Sequence, residues 1–209
     1  MTTLALEFSS AERSVALARD GTIVAEAAES GGYRVTNAFG LIENVLATAN
    51  ISRDDIDLLA IGLGPGSYTG IRVAIAVAQG WQLARGVKIL GVCSAEVLAA
   101  QAQAAKMFGR VNVVIDAQRG EYYRANWDIS ATQRQEISPL KIVAATELKT
   151  LTAAGEICVG PDAVAKMFPA AATVLQLAFG RMEFLAGELL APIYLRDTNF
   201  VKAPPARVL

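Results

Sequence analysis

The segment from Leu58 to Ala84 constrains the fold most strongly, because a short apolar run ends in a glycine-rich loop and is followed by a helical pattern. The run Leu58–Ile61 is typical of a buried strand. The residues that interrupt it are Gly62, Gly64, Pro65 and Gly66. A hydroxyl of Ser67 or Thr69 can then cap a helix by accepting hydrogen bonds from its first free amides. The segment therefore predicts a strand, a sharp turn and a long helix.

The predicted helix has small residues on two of its ridges and few polar groups. Residues four apart lie on one face of a helix, so rows of small side chains let a second helix approach closely. One row contains Gly70, Ala74 and Ala78, and the next contains Arg72, Ala76, Gly80 and Ala84. We expect this helix to be buried on more than one side, between a sheet and another helix.

The glycine-rich loop has two interpretations, a packing turn or an anion site. Free amides and the positive end of the dipole at a helix N-terminus suit an anion. The P-loop pattern fails, because Ile71 and Arg72 follow the last glycine, and Thr69 stands where a dinucleotide fold needs its third glycine. If a nucleotide or anion binds, the candidate contacts are Gly64, Gly66, Ser67, Thr69, Gly70 and Asp116.

The 209 residues include no histidine. Histidine is the commonest metal ligand and a frequent general base, so hydrolases with a histidine base and metalloproteases of the HExxH type are excluded. Chemistry based on carboxylates remains open. Its candidates are Glu7, Asp116 and Glu121.

Charge, hydropathy and cysteine content indicate the cellular setting. A net charge of -1 and a pI of 5.6 argue against a protein that binds nucleic acid by itself, since such binding depends on many Lys and Arg contacts to phosphate. No apolar run has membrane-spanning length, and the start MTTLALEFSS lacks the pattern of a signal peptide. Cys93 and Cys158 are interpreted as reduced core residues. We therefore expect a cytoplasmic protein.

The first half of the chain predicts a hairpin sheet followed by alternating helices and strands. The predicted strands are Leu4–Phe8, Val15–Ala18, Thr22–Glu26, Leu58–Ile61 and Val87–Cys93. The predicted helices run from a cap at Thr36 or Asn37 to Asn50, from Thr69 to Ala84, and from Ala95, capped by Ser94, to about Met107. A break at Gly31-Gly32 and a capped turn at Ser52–Asp55 complete this half.

The second half repeats this layout. A hairpin of Val113–Asp116 and Tyr122–Trp127 places Asp116 where the first hairpin has Glu7, and Ile157–Pro161, followed by a short helix, corresponds to Ile61–Pro65 and its helix. Further predicted elements are a helix at Asp162–Phe168, a strand at Thr173–Leu177, a helix at Met182–Leu190 stopped by Pro192, and a loose tail at Pro204-Pro205. We expect two α/β domains, residues 1–106 and 107–209, each a mixed sheet with flanking helices.

Two such halves facing a cleft resemble the actin-like architecture, with ribonuclease H-like domains, in which each hairpin turn normally grips ATP phosphates with an Asp, a Gly and a hydroxyl. The turn after Glu7 has no glycine, and Arg119 stands where a small residue should admit the nucleotide. Glu7 and Asp116 are therefore interpreted either as carboxylates that local amides satisfy or as a catalytic pair.

Three segments resemble the marker segments of the TsaB family, formerly called YeaZ. They are Gly64–Arg72, the run IDAQRGEYY from Ile115 to Tyr123, and Pro192–Arg196. The similarity extends over nearly the whole chain. It implies a non-catalytic dimerisation subunit of the bacterial complex that transfers threonylcarbamoyl to the adenosine beside the anticodon in tRNAs reading codons that begin with A.

The same resemblance implies the partners. The related TsaD subunit would carry the metal and the active site, and a separate TsaE-like ATPase would join. This chain would hold no metal, no catalytic residue and no intrinsic cofactor, with ATP or ADP bound only in the complex and tRNA reached only through it. No membrane is involved.

The resemblance also places two helices against a TsaD-like subunit or a second copy of the chain, making a heterodimer or a homodimer. The expected interface residues are Phe39, Leu41, Ile42, Val45, Leu46, Tyr68, Ile71, Arg72, Ala74, Ile75, Ala78 and Gln82. The pattern alone also allows both helices simply to cover the sheet. The alternative function is an actin-like ATPase or small-molecule kinase that uses Asp116 and Glu7. A metal-dependent glycoprotease, the old label for the superfamily, is excluded by the missing histidines.

Overall fold

The chain forms a mixed α/β fold built on two five-stranded sheets. The computed structural model describes residues 1–30 and 37–196. The predicted break at Gly31-Gly32, the alternative cap Thr36 and the predicted tail at Pro204-Pro205 lie outside these residues. The strands and helices are numbered below in chain order.

The first sheet has the strand order β3-β2-β1-β4-β5. Its strands are β1 (Thr2–Glu7), β2 (Glu12–Arg19), β3 (Thr22–Ser30), β4 (Leu58–Gly62) and β5 (Lys88–Val92), and the helices between and after them are α1 (Ala38–Ala49), α2 (Tyr68–Arg85) and α3 (Ser94–Ala104). The hairpin strands pair antiparallel, whereas β4 and β5 run parallel to β1. The predicted caps Asn37 and Ser67 are confirmed, since each side chain accepts from the amide of Gly40 or Gly70.

The second sheet has the order β10-β9-β6-β7-β8, which is the same order read from its other edge. Its elements are β6 (Gly109–Asp116), β7 (Glu121–Ile129), β8 (Arg134–Ala144), α4 (Ala145–Ala153), β9 (Ile157–Gly160), β10 (Ala165–Lys166) and α5 (Ala171–Ala178). The sequence pattern predicts no element over residues 128–156, where β8 and α4 lie. The repeated sheet order agrees with the repeat read from the sequence.

Three elements predicted in the second half are wrong. The segment Asp162–Phe168 contains a turn and the two-residue strand β10, because the Gly160 carbonyl accepts from the amides of Ala163 and Met167 and holds the chain in a tight loop. No helix equivalent to α2 is therefore formed between β9 and β10. Thr173–Leu177 belongs to helix α5 rather than to a strand. Its apolar side chains follow the helical period and are buried on the first sheet.

The predicted helix at Met182–Leu190 is replaced by an irregular segment with a 3-10 turn at Gly187–Leu189. This segment follows the edge of the first sheet, where the Leu185 amide donates to the Ile89 carbonyl at 2.8 Å. Side chains of α2 satisfy its backbone further on. Gln79 donates to the Gly187 carbonyl at 2.8 Å, and Gln82 accepts from the Gly187 amide at 2.6 Å. These contacts satisfy backbone groups that a helix would pair internally.

Each half of the chain supplies a helix to the sheet of the other half. Helices α1 and α2 cover one face of the first sheet, and α5 covers its opposite face, with Val174 and Leu175 packed there against Leu58 and Leu90. Helix α3 instead packs on the second sheet, where Leu98 meets Val111. The predicted division into 1–106 and 107–209 thus follows the two sheets but not the helices that cover them.

Candidate functional site

A cleft of about 490 Å³ lies where the two hairpin turns and the N-terminus of α2 converge. The residues that line it are Ser9, Ser10, Gly66, Ser67, Tyr68, Thr69, Ile115, Asp116, Gln118, Pro161 and Asp162. Strand β1 leads into one turn and β6 into the other, so the repeat of the two sheets creates the cleft. Four of the six residues predicted as anion contacts, Gly66, Ser67, Thr69 and Asp116, are brought together here.

Glu7 is fully buried beneath the cleft and does not line it. Its carboxylate accepts from the Ser9 amide at 2.8 Å and from the Ser94 hydroxyl at 3.0 Å. Burial raises the pKa of Glu7, and the hydrogen bonds from Ser9 and Ser94 offset this only in part. Ser94, predicted as a helix cap, instead holds this carboxyl group, and Cys93 occupies the cap position of α3.

Asp116 is satisfied locally but reaches the cleft. One carboxylate oxygen accepts from the Gln118 amide and the other from the Gln118 side chain, each at 2.7 Å. Asp162 faces it from the loop after β9. Burial raises the pKa of Asp162, and the nearby Asp116 charge adds to this effect. Asp162 was missed from sequence, although it follows β9 as the glycine loop follows β4.

The glycines at the start of α2 are explained by close packing. A Cβ added at Gly70 would lie 1.9 Å from the Phe8 carbonyl oxygen, and one at Gly66 would lie 2.0 Å from that of Ser9. Gly64 is buried, has a positive φ of 86° and accepts from the Ser94 amide at 2.7 Å. These contacts favour the packing interpretation for the glycines, and they place Gly64 and Gly70 beneath the cleft wall.

The charges around the cleft oppose an anion. Among its described lining residues, the charged side chains are Asp116 and Asp162, and neither Lys nor Arg is present. Two carboxylates near a phosphate would repel it unless a cation intervened. The backbone amides at the start of α2 instead favour an anion. The cleft therefore has one face suited to anions and one face, with the two carboxylates, suited to cations.

The second candidate surface is the outer face of α1 and α2. Eight of the predicted interface residues are buried in the chain's own core, so their side chains are not available to a partner in this structure. They are Leu41, Ile42, Val45, Leu46, Ile71, Ala74, Ile75 and Ala78. These residues face the first sheet. The helical period alone could not show which side of each helix would do so. Gln82 is engaged by the segment after α5, whereas Phe39, Tyr68 and Arg72 are exposed.

A groove of about 340 Å³ separates the exposed sides of α1 and α2. Its lining includes the small residues Ala76, Gly80 and Ala84, which form the second ridge of α2, together with Phe39 and Trp81. Phe39 is 67% exposed, and on the same helix as the small residues Leu83 is 91% exposed. The ion pairs Arg53–Glu43 and Arg85–Asp54 form its charged rim. Helix α2 packs on the first sheet and contacts the segment around Gly187, but the predicted burial against another helix is wrong for the ridge of Ala76, Gly80 and Ala84, which is open among the described residues.

The segment before residue 197 joins both halves beside the cleft. Tyr194 stacks on Tyr68 with ring centroids 5.5 Å apart, and the Arg72 guanidinium lies 5.0 Å from the centre of the Tyr68 ring. Burial against these rings raises the pKa of Tyr194 to about 12. Arg196 donates to the Ala117 carbonyl at 3.1 Å and pairs with Glu121. The marker segment Pro192–Arg196 thus contacts both of the other marker segments, through Tyr68 in one and through Ala117 and Glu121 in the other.

The family model described as TsaD, tRNA N6-adenosine threonylcarbamoyltransferase, matches residues 33–179. The tRNA threonylcarbamoyladenosine biosynthesis protein TsaB of Escherichia coli is 35% identical over 127 residues, which are 61% of this chain and 55% of that protein. A crystal structure of a Pseudomonas aeruginosa protein similar to the peptidase YeaZ superposes with a TM-score of 0.80 at 26% identity, covering 93% of this chain and 99% of the other. The chain belongs to the TsaB (YeaZ) family. The resemblance stated from the three marker segments is confirmed.

The TsaB protein of Bacillus subtilis is 27% identical over 143 residues, which cover 66% of this chain and 60% of that relative. The matched regions thus span between half and two thirds of these curated TsaB proteins. The described residues contain no grouping of three or more Cys, Asp or Glu side chains able to hold a metal ion. None of their helices has the length and apolar character needed to cross a membrane.

Proposed function

We propose that this chain is a non-catalytic, activating subunit of the complex that transfers threonylcarbamoyl to the adenosine adjacent to the anticodon in tRNAs reading codons that begin with A. It binds a TsaD-like catalytic subunit through the exposed face of α1 and α2, and a TsaE-like ATPase joins the assembly. The chain works in the cytoplasm as part of this actin-like family. It meets tRNA, and ATP or ADP, only within the complex.

The observation that carries this proposal is the open groove between α1 and α2. A partner helix can approach Ala76, Gly80 and Ala84 closely, because none of them carries a bulky side chain. Phe39 supplies exposed apolar area in the groove, Leu83 supplies more on the exposed surface of α2, and the charged residues that line the groove are joined in ion pairs. An apolar centre with a charged rim is the usual anatomy of a protein interface.

The arrangement around the cleft supports a non-catalytic role. Glu7 is sealed beneath the surface by Ser9, Ser94 and Gly62, so its carboxyl group does not reach a substrate in the cleft. Asp116 is held by Gln118. A phosphoryl-transfer site needs cationic groups around the transferred phosphate, and the described lining residues provide none.

Binding is tested with substitutions that place a charge in the groove without touching the core. Ala76→Glu and Ala84→Glu lie on the exposed side of α2 and line the groove. Val164→Glu is the matched control, since Val164 is 78% exposed beside the second sheet and away from the groove. We expect the two groove variants to lose co-purification with the TsaD-like subunit, while all three keep the unfolding midpoint of the parent chain. Retention of the partner by both groove variants would contradict the proposed interface.

The identity of the partner is tested in the same experiment. Gel filtration of each variant alone reports whether the groove instead joins two copies of this chain. If the groove variants lose self-association but bind the TsaD-like subunit normally, the heterodimer through this face is excluded.

Activation is tested by depletion and return of the chain. Coupling requires that the partner's active state bind this chain more tightly than its inactive state. Depletion should lower the threonylcarbamoyl content of tRNA while synthesis of the activated intermediate continues. Return of Val164→Glu should restore the modification, and return of Ala76→Glu should not. A normal threonylcarbamoyl content of tRNA in a depleted strain without a second gene copy would contradict the proposed role in tRNA modification.

An actin-like ATPase or small-molecule kinase is the second candidate, because Asp116 and the start of α2 face one cleft. Purified chain that turns over ATP steadily, with loss of turnover on Asp116→Asn, would establish this candidate and refute the non-catalytic role.

A further inference from the structure

The segment Pro192–Arg196, called the strap below, contacts both halves of the chain at the rim of the cleft. Its first contacts are with the first half. The Ile193 amide donates to the Leu63 carbonyl at 2.9 Å. The Tyr194 ring stacks on Tyr68 with ring centroids 5.5 Å apart, and the two residues are 39% and 55% exposed. The strap is therefore held on the surface of the first half rather than in its core.

The last residue of the strap contacts the second half. Arg196 donates to the Ala117 carbonyl at 3.1 Å and pairs with the Glu121 carboxylate. The side chains of this ion pair are 33% and 39% exposed, so solvent weakens their attraction. Segments that are held by few buried contacts open at a small cost in free energy. This end of the strap can therefore be released without disturbing the core.

Arg72 connects the strap to the open ridge of α2. Its guanidinium donates to the Tyr68 hydroxyl and lies 5.0 Å from the centre of the Tyr68 ring, on which Tyr194 also stacks. Arg72 also begins the exposed row that continues with Ala76 and Gly80, since residues four apart share one face of a helix. A subunit that lies along this row meets Arg72 about 6 Å beyond Ala76.

The charge of Arg72 is not matched within the described part of the chain. Arg53 and Arg85 line the groove, and each forms an ion pair. Arg72 is exposed as well, but within residues 1–30 and 37–196 no carboxylate lies at ion-pair distance from it. A carboxylate can bind a guanidinium through two hydrogen bonds, which a single hydroxyl cannot do. A carboxylate on a subunit bound along α2 therefore competes with Tyr68 for Arg72.

We propose that the strap is released from the second half when a carboxylate of the subunit in the groove binds Arg72. The Tyr68 ring then loses the cation over its face, its stack with Tyr194 weakens, and the strap lifts from the turn after β6. Helices α3 and α5 hold the two sheets together, so only the strap moves. Binding at α2 is thereby coupled to the exposure of the second hairpin turn. This inference rests on the proposed function, because it requires a subunit bound in the groove.

Hydrogen exchange of the backbone amides of residues 193–196 provides the first test. The parent chain, Arg72→Gln and the control Arg110→Gln are measured alone and with the TsaD-like subunit. Arg110 is exposed at the end of β6 that is far from the cleft. We expect the subunit to accelerate exchange roughly fivefold in the parent and in the control, because the strap opens locally. In Arg72→Gln, exchange should be fast already in the chain alone and should not change when the subunit is added.

The outcomes separate this inference from the proposed function. Unchanged or slower exchange in the parent on binding would overturn the release of the strap, while co-purification would still report binding in the groove. A subunit that binds Ala76→Glu as well as the parent would overturn the proposed groove, and the release of the strap with it.

The affinity for the subunit provides a second test, because coupling between two binding events is reciprocal. A chain whose strap is already released binds the subunit without the cost of opening. Tyr194→Ala removes the stack without altering α1 or α2, and Leu195→Ala is the matched control, since Leu195 is an exposed residue of the same strap. We expect Tyr194→Ala to bind the TsaD-like subunit roughly threefold more tightly than the parent, and Leu195→Ala to bind it equally well. Equal or weaker binding by Tyr194→Ala would overturn the coupling.

Discussion

Glu7 and Asp116 end corresponding strands of two sheets with the same strand order, and each carboxylate accepts a hydrogen bond from the backbone amide two residues further on. The two environments have diverged. Glu7 is enclosed and also accepts from Ser94, whereas Asp116 remains partly open to the cleft. The repeat therefore preserves a turn geometry, and only one of its two carboxyl groups stays accessible to a ligand.

Glu7→Gln should make the chain less sensitive to alkaline pH. The folded-state pKa of Glu7 is raised, so the folded chain binds more protons than the unfolded chain between the ordinary glutamate pKa and the raised value. Stability therefore falls as pH rises through that window, and an amide, which does not titrate, removes this loss. Urea unfolding from pH 4 to pH 8 should show a smaller decline for Glu7→Gln than for the parent. An unchanged slope in Glu7→Gln would contradict the assignment.

Gly70→Ala and Gly80→Ala should have opposite effects, although both lie in α2. A Cβ at Gly70 would collide with the Phe8 carbonyl oxygen, whereas one at Gly80 would have no atom within 4 Å. Overpacking of this kind costs about 1–3 kcal/mol, and alanine in an exposed helix gains about 1 kcal/mol over glycine. The free energy of unfolding in urea distinguishes the two. Equal changes would show that the start of α2 does not pack closely on Phe8, which follows β1.

Gln101→Ala should destabilise the connection into α5. The Gln101 side chain donates to the Phe168 carbonyl at 2.9 Å and accepts from the Ala170 amide at 3.2 Å, so one amide group satisfies both sides of the loop. These hydrogen bonds are partly buried, and the loss of a typical intramolecular hydrogen bond costs about 0.5–1.5 kcal/mol. Gln176→Ala, at an exposed position of α5, should change stability by less than about 0.5 kcal/mol. Indistinguishable unfolding curves for the two variants would argue against the clamp.

A fragment of residues 1–106 should not fold as an independent domain. It lacks α5, which covers Leu58 and Leu90 on the first sheet, and it leaves Leu98 of α3 without the second sheet. We expect strong binding of a hydrophobic dye and loss of near-ultraviolet circular dichroism, as in partly folded states. The full chain provides the comparison. A fragment with a sharp unfolding transition and weak dye binding would show that the exchanged helix is dispensable.

Much of the first half could be predicted from sequence because local signals and tertiary contacts agree there. Asn37 and Ser67 combine a capping side chain with a helical apolar period, and both caps are formed. Ser94 was wrongly predicted as a cap because its hydroxyl instead donates a hydrogen bond to the buried carboxylate of Glu7. In the second half, α5 is only eight residues long, and its β-branched Thr173 and Val174 resemble a strand. Its helical state depends on the first sheet, which is distant in sequence.

The candidate surfaces were predicted in part. Three of the predicted positions do line one cleft, because the repeat of the two sheets brings the corresponding turns together. They are Ser67, Thr69 and Asp116. On α2, the sequence showed two rows of small residues but contained no signal for which row meets the chain's own sheet. The row with Ala74 is covered, and the row with Ala76 is open. An inward row and an outward row of small residues have the same period, so only the position of the sheet distinguishes them.

The exchange of helices between the two sheets has a mechanical consequence. Bending the halves about the cleft would require α3 to slide along α5, because these two helices contact one another while each is embedded in a different sheet. Packed helices resist such sliding far more than a loop resists bending. The exchanged helices therefore hold the two sheets in a fixed relative orientation, and a neighbouring subunit meets a rigid surface.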